Sequence, residues 1–149
     1  MSKPAVIMLV EDNRMDMELT LDAFRLVRLD NPIQVVTNGQ DALDYLFRRA
    51  KYADRDAYPM PDLILLDLKL PGIDGIEVLR QAKSTPIIKR IPVIILTSSK
   101  EEADRTLCYD NGANSYLVKP VSFEDFISMV QQIESYWLSL NVSPPEDLL

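Results

Sequence analysis

The sequence contains no histidine and a single cysteine, Cys108. Without them the common zinc sites cannot be assembled, and Ser-His-Asp or Cys-His catalysis is excluded. One thiol rules out an internal disulfide and suits a reducing compartment. No apolar run approaches the ~18 residues of a membrane-crossing helix. Positive charge is in short supply, with 16 Lys and Arg against 23 Asp and Glu, a formal net charge of -7. Such a surface repels phosphate backbones, so nucleic acid is not expected as a direct partner. Most of that charge reads simply as solubility. The opening MSKPAVIMLVED runs from a short apolar stretch straight into acids, which does not fit a secretion signal.

What is present fits one soluble domain. The chain has 149 residues, 47% of them hydrophobic and 26% charged. That length holds one core, not separate receptor, catalytic and DNA-binding domains. Short apolar runs occur at residues 5–10, 63–66, 91–96 and 115–118, with a weaker one at 33–37. Their apolarity is continuous rather than alternating, which marks strands covered on both faces.

Helical patterns lie between the runs. One stripe is Met15, Leu19, Ala23, Leu26 and Val27; a second is Leu43, Leu46, Phe47 and Ala50. Ile76, Leu79 and Ala82 or Lys83 form a third, shorter stripe. Residues 101–111 have helical propensity with a thin apolar face. Phe123, Phe126, Ile127, Val130, Ile133 and Trp137 make a long last stripe. A strand followed by a helix, five times over, predicts a doubly wound α/β domain with right-handed crossovers. Asn38-Gly39 and Asn111-Gly112 read as turns or C-caps, and Ser98-x-x-Glu101 and Ser99-x-x-Glu102 as capping boxes. Residues 48–61 read as a long polar connection, and 139–149 as a flexible tail after a domain spanning 1–138.

In an open parallel sheet, ligands bind beyond the carboxyl ends of the strands. Glu11 and Asp12 follow the first strand, and Asp67 ends the third. Thr97, Ser98 and Ser99 end the fourth, and Lys119-Pro120 follows the fifth. Three carboxylates on one edge repel one another by about 4 kcal/mol per pair at ~4 Å and an effective dielectric of ~20. Their pKa values rise, or a cation sits among them. Hard oxygen ligands suit Mg²⁺, and a lysine with a hydroxyl nearby completes a phosphate site. Asp67 would then serve as both a metal ligand and a nucleophile. Each piece alone has a plainer reading. Asp12 or Asn13 fits a helix N-cap, Asp67 with Leu-Lys-Leu-Pro-Gly fits a turn, and Ser98 and Ser99 fit caps. The chemical reading rests on all of them falling at the same ends of successive strands.

Glu11-Asp12, Asp67 in LILLDLKLPGIDG, Thr97 in PVIILTSS and Lys119-Pro120 in SYLVKP together resemble the receiver domain of two-component response regulators. The resemblance spans about residues 5–138. It implies a flavodoxin-like fold: a five-stranded parallel sheet of order 2-1-3-4-5 flanked by five helices. It also implies roles. Asp67 would accept a phosphoryl group from a phosphohistidine on a sensor histidine kinase or phosphotransfer protein, the chain catalysing its own phosphorylation and autodephosphorylation. Asp12 and Asp67 would ligate Mg²⁺ directly, Glu11 through water, and Lys69 through its backbone carbonyl. Thr97, Ser98, Lys119 and Leu68 would bind the phosphoryl oxygens. Thr97 and Tyr116 would form the switch, and Lys119-Pro120 falls where the family's peptide bond is often cis.

The connection at 48–61 and the ending MVQQIESYWLSL resemble stand-alone receivers associated with bacterial phytochrome kinases. That implies a cytoplasmic protein without a DNA-binding output domain. It also implies a homodimer through the fourth helix, fifth strand and fifth helix, with Phe126, Tyr136 and Trp137 as contacts. Phe126 fits the core better, while Trp137 fits core and interface equally. A haloacid-dehalogenase-type phosphatase would want an acid at position 69, where this chain has lysine. A flavodoxin-like cofactor binder would want a Ser/Thr/Gly-rich loop where VEDNRMD stands. A receiver-fold interaction module that is never phosphorylated is the remaining alternative.

Overall fold

The computed structural model describes residues 4–145. Five strands alternate with five helices: β1 Ile7–Val10, α1 Arg14–Leu26, β2 Ile33–Val36, α2 Gly39–Leu46, β3 Leu63–Leu66, α3 Gly75–Lys83, β4 Val93–Thr97, α4 Glu102–Asp110, β5 Ser115–Val118 and α5 Phe123–Ile133. The strands form one parallel sheet of order β2-β1-β3-β4-β5.

Both faces of the three central strands are buried, which explains their unbroken apolar sequences. Successive side chains point to opposite faces. Met8, Val10, Ile64, Leu66, Val93 and Ile95 pack under α2, α3 and Cys108 of α4. Ile7, Leu9, Leu63, Leu65 and Ile94 pack under Ala23 and Phe24 of α1 and Phe126, Val130 and Ile133 of α5. The edge strand β2 is only half-buried, matching the weaker apolarity of 33–37; β5 is half-buried too, although its apolar run reads as covered on both faces, because it lies at the other edge of the sheet.

The expected strands at 5–10 and 91–96 start later, at Ile7 and Val93. Pro92 precedes β4 and has no N–H to give a ladder. In α1 the buried face is Thr20, Ala23 and Phe24, while Met15 and Leu26 are 71% and 59% exposed. Ala50 lies beyond α2 with φ +52 and is not part of its stripe. Asn38 is the N-cap of α2, its side chain accepting the Asp41 amide; it caps no preceding helix. Neither serine capping box forms. Glu101 is the N-cap of α4 and its side chain makes no capping bond; the Ser99 hydroxyl donates to the Asp104 carboxylate and accepts the Glu101 amide at 3.3 Å instead of capping the helix itself. Asn111 does close α4, and Gly112 follows with φ +94.

Residues 48–61 are ordered by packing. A 3₁₀ turn, Ala50–Ala53, buries Tyr52 against Tyr45 and Tyr58, with ring centroids 4.9–5.8 Å apart. Arg55 donates to the carbonyls of Tyr45, Leu46 and Tyr58 at 3.0–3.2 Å. It thereby satisfies carbonyls at the end of α2 that the helix leaves open. Beyond α5 the chain continues as a π-helical stretch, Glu134–Leu140, so part of the expected tail is helical. Residues 143–145 line a depression of about 230 Å³ at the opposite sheet end, with Met60, Ile87 and Pro92. The rest of the tail, 146–149, lies outside the described residues. Among the described residues no helix is long and apolar enough to cross a membrane.

Candidate functional site

The sheet's hydrogen bonds carry one residue past the strand ends. Glu11 N donates to Val36 O at 3.0 Å, Asp67 N to Val10 O at 3.1 Å, and Lys119 N to Thr97 O at 2.7 Å. Glu11 and Asp67 therefore stand side by side, and Lys119 is pinned beside Thr97. Glu11, Asp67 and Thr97 are all buried, at 2%, 6% and 0% exposure, whereas Asp12 is exposed. Carboxylate oxygens of Glu11, Asp12 and Asp67 lie within 4.8 Å of one another.

The Lys119 ammonium reaches into this group from β5. It contacts Glu11 Oε1 at 2.7 Å, Asp16 Oδ2 at 2.8 Å and Asp67 Oδ2 at 3.0 Å. An ammonium has three N–H donors, and each has a carboxylate. Burial alone would lower the Lys119 pKa, but hydrogen bonds to Asp16 and Glu11, with the charges of Glu11 and Asp67, raise it above its ordinary value. Glu11 is pushed up to about 7 from 4.5. Burial is the main cause, Asp67's charge adds to it, and Lys119 and the Asn13 amide oppose it. Three acids share one ammonium and Asp12 stands beside two of them, so the site is short of positive charge. That donor set, hard oxygens with one edge exposed, fits a divalent cation such as Mg²⁺.

Helix starts hold the framework. Asn13 caps α1, accepting the Asp16 amide, while its own N–H donates to Glu11 Oε2 at 3.1 Å. Of the two alternatives, Asn13 is therefore the cap and Asp12 is left for chemistry. Gly75 begins α3 against the loop after β3, its N–H donating to Leu68 O at 2.9 Å. A Cβ there would overlap the Asp67 carbonyl oxygen and sit 2.7 Å from Leu68 Cα.

Ser99 N donates to Thr97 Oγ1 at 3.3 Å, and the Tyr116 hydroxyl donates to Ser99 O at 3.0 Å. Tyr116, half-buried, thus touches the loop leading from Thr97 to α4. Leu68 is buried beside Asp67; Lys69 and Ser98 are exposed on the adjoining loops. Lys69 N lies 3.5 Å from Asp67 Oδ1. One expectation fails: no described peptide bond is cis, so Lys119–Pro120 is trans. In this form the Lys119 amide is held by Thr97 O and its ammonium by the three acids, with no cis turn required. Asp16 was not among the expected site residues. An acid in the first turn of a helix reads as a partner of the helix dipole, and only the fold shows it facing Lys119.

The model of the response regulator receiver domain matches residues 7–131. The chain belongs to that family. It is 41% identical over 141 residues to the probable methanogenesis regulatory protein FilR2 of Methanothrix harundinacea, covering 95% of this chain and 88% of that one. It is 40% identical over 141 residues to the response regulator Rcp1 of Synechocystis, covering 95% and 94%. The crystal structure of the Mn²⁺-bound form of Rcp1 superposes with a TM-score of 0.86 over 95% of this chain and all of that one. The phosphorylated cyanobacterial phytochrome response regulator RcpA gives 0.89 at 38% identity, over 96% of this chain and all of that one. The receiver fold expected from the sequence, with strand order 2-1-3-4-5, is the one found.

Proposed function

We propose that this receiver domain accepts a phosphoryl group on Asp67 from a phosphohistidine of a sensor histidine kinase or phosphotransfer protein. The observation that carries this reading is the convergence on Asp67 of the Lys119 ammonium, at 3.0 Å, and the carboxylates of Glu11 and Asp12. In the transfer, an Asp67 oxygen bonds to phosphorus and the phosphorus–nitrogen bond of the donor breaks. The imidazole leaves with the electron pair. The charge of the transferring group must be neutralised and its line of attack fixed.

Asp12 and Asp67 would hold Mg²⁺, with Glu11 behind them and the Lys69 carbonyl as a further ligand. When bound, the ion would neutralise charge on the phosphoryl oxygens. Rcp1 in its Mn²⁺-bound form and RcpA in its phosphorylated form support these roles by similarity. Lys119 turns from Glu11 and Asp67 to the new phosphoryl oxygens, which carry roughly -1.5 to -2 charge. Thr97 donates its hydroxyl to them, and Ser98 and Leu68 offer backbone N–H groups.

Thr97 then draws away from Ser99, and Tyr116 loses the carbonyl it holds. Helix α4 buries only Cys108, so it can re-seat, and the population of its two positions shifts. The affected face is α4, β5, α5 and the stretch beyond it, where Leu107, Tyr109, Val118 and Tyr136 are 39–51% exposed. A second copy or a downstream protein would dock there. Phe126 is 2% exposed and belongs to the core. Trp137, half-buried against that core, offers only part of its ring. A phytochrome-type kinase as donor and a cytoplasmic setting go with this reading. Acetyl phosphate with Mg²⁺ should add one phosphoryl mass to the wild type and none to Asp67→Asn. Equal labelling of both would move the acceptor elsewhere. No labelling of either would favour the unphosphorylated interaction module.

A further inference from the structure

We propose that Asp16 is a positioning residue that tethers the Lys119 ammonium over Asp67, an inference that rests on Asp67 being the phosphoacceptor. Asp16 and Lys119 are 103 positions apart and meet at 2.8 Å, with the lysine side chain 8% and the aspartate 28% exposed. The aspartate is itself held. Its N–H donates to the Asn13 side chain at 3.0 Å, and its carbonyl accepts the hydroxyl of buried Thr20 at 2.8 Å. Its carboxylate therefore has a fixed origin in the first turn of α1.

The three acids on Lys119 are not equivalent. Glu11 and Asp67 belong to the cluster whose oxygens would meet a cation; Asp16 does not. During transfer Asp67 also forms its bond to phosphorus. Both of those partners are thus engaged elsewhere when the phosphoryl group arrives. Asp16 alone has no competing task, so it keeps one N–H of Lys119 and leaves two aimed at the incoming oxygens. A lysine has four rotatable side-chain bonds, and a tether removes much of that freedom before the reaction rather than during it.

An acid in the first turn of a helix also gains from the helix dipole, and that gain is indifferent to Lys119. The two roles separate in a double-mutant cycle. The full chain is given acetyl phosphate and Mg²⁺. An Asp67 oxygen bonds to phosphorus, the phosphorus–oxygen bond to acetate breaks, and acetate leaves with the electron pair. Initial uptake is read by intact mass for wild type, Asp16→Ala, Lys119→Ala and the double variant. Losing one charged hydrogen bond from a positioned lysine should slow uptake about tenfold in Asp16→Ala. The double variant should be no slower than Lys119→Ala alone. Slowing by the same factor with and without Lys119, or none at all, would overturn the tether.

A second measurement needs no phosphoryl transfer. Brief treatment of the resting proteins with acetic anhydride, read by peptide mass, reports how freely the Lys119 amine moves. Acetylation of Lys119 should rise at least threefold in Asp16→Ala, on the scale of one lost ionic contact, while that of Lys100 stays constant. Unchanged Lys119 acetylation would also overturn the tether. A wild type that takes up no phosphoryl group, yet shows the Asp16-dependent acetylation, would instead count against the acceptor reading and leave the contact itself established.

Discussion

Replacing Lys119 by methionine keeps most of the side-chain volume and removes the cation that Glu11, Asp16 and Asp67 contact. Three charge-assisted hydrogen bonds are lost, at 2.7, 2.8 and 3.0 Å. Each contributes roughly 1.5–3 kcal/mol in a partly buried setting. The lysine's own desolvation cost is recovered, and Asp16, 28% exposed, turns to water. The Glu11 and Asp67 side chains, 3% and 7% exposed, cannot. A net loss of about 3–5 kcal/mol is expected for a buried pair broken on one side.

The loss depends on pH. The folded protein holds the Glu11 proton up to about 7, against 4.5 for the ordinary group. A carboxyl whose pKa is raised by folding binds its proton more tightly in the folded state. Metal-free stability therefore declines as pH rises from about 4.5 to 7. Removing Lys119 deepens that decline, because one of the groups opposing it is gone. Urea denaturation in chelator, followed by the fluorescence of Trp137, should show the variant weakened by about 3–5 kcal/mol near pH 8 and by less near pH 5. Millimolar Mg²⁺ should restore much of the difference at the higher pH, since a ligand of the folded state alone adds stability. Equal stability of variant and wild type in chelator near pH 8 would refute the electrostatic account. So would a loss that is the same at both pH values.

Gly75→Ala places a methyl group on the Asp67 carbonyl oxygen, so it should destabilise the fold by about 1–3 kcal/mol and slow phosphoryl uptake; thermal unfolding and intact mass would check both. Burial pushes the Cys108 thiol up to about 11, with Asp104's charge adding to it. It should resist an aromatic disulfide reagent near pH 8 until denaturant is added, and prompt native labelling would contradict its place on the buried side of α4. Arg55→Ala strips donors from three carbonyls and should cost about 1–3 kcal/mol, with faster amide exchange across residues 48–61. Exchange unchanged there would mean that the tyrosine rings alone order the segment.

Much of this was legible in the sequence because burial on both faces leaves no polar phase in the strands. Residues 63–66 and 91–96 could be read as covered on both faces for that reason. The site was legible because Thr97 ends a strand and Glu11, Asp12, Asp67 and Lys119 follow one, and a parallel sheet brings those ends together. Asp16 was not, since nothing local separates a first-turn acid serving the helix from one serving a lysine just after β5. The segment at 48–61 looked polar because Arg55 and its neighbours are charged. The tyrosines at 45, 52 and 58 were the sign of a packed cluster. Phe126 reads correctly as core from its stripe. The exposed Met15 and Leu26 do not follow theirs, because the angle at which α1 meets the sheet is set by tertiary packing, not by its own sequence.

The most direct measurement locates the phosphoryl group itself. After treatment with acetyl phosphate and Mg²⁺, borohydride reduces an aspartyl phosphate to homoserine, and peptide sequencing by mass spectrometry finds the altered position. The account predicts homoserine at position 67 and nowhere else. Homoserine at position 12 or 16 with Asp67 intact, or no reduced residue in a protein that has gained the phosphoryl mass, would contradict it.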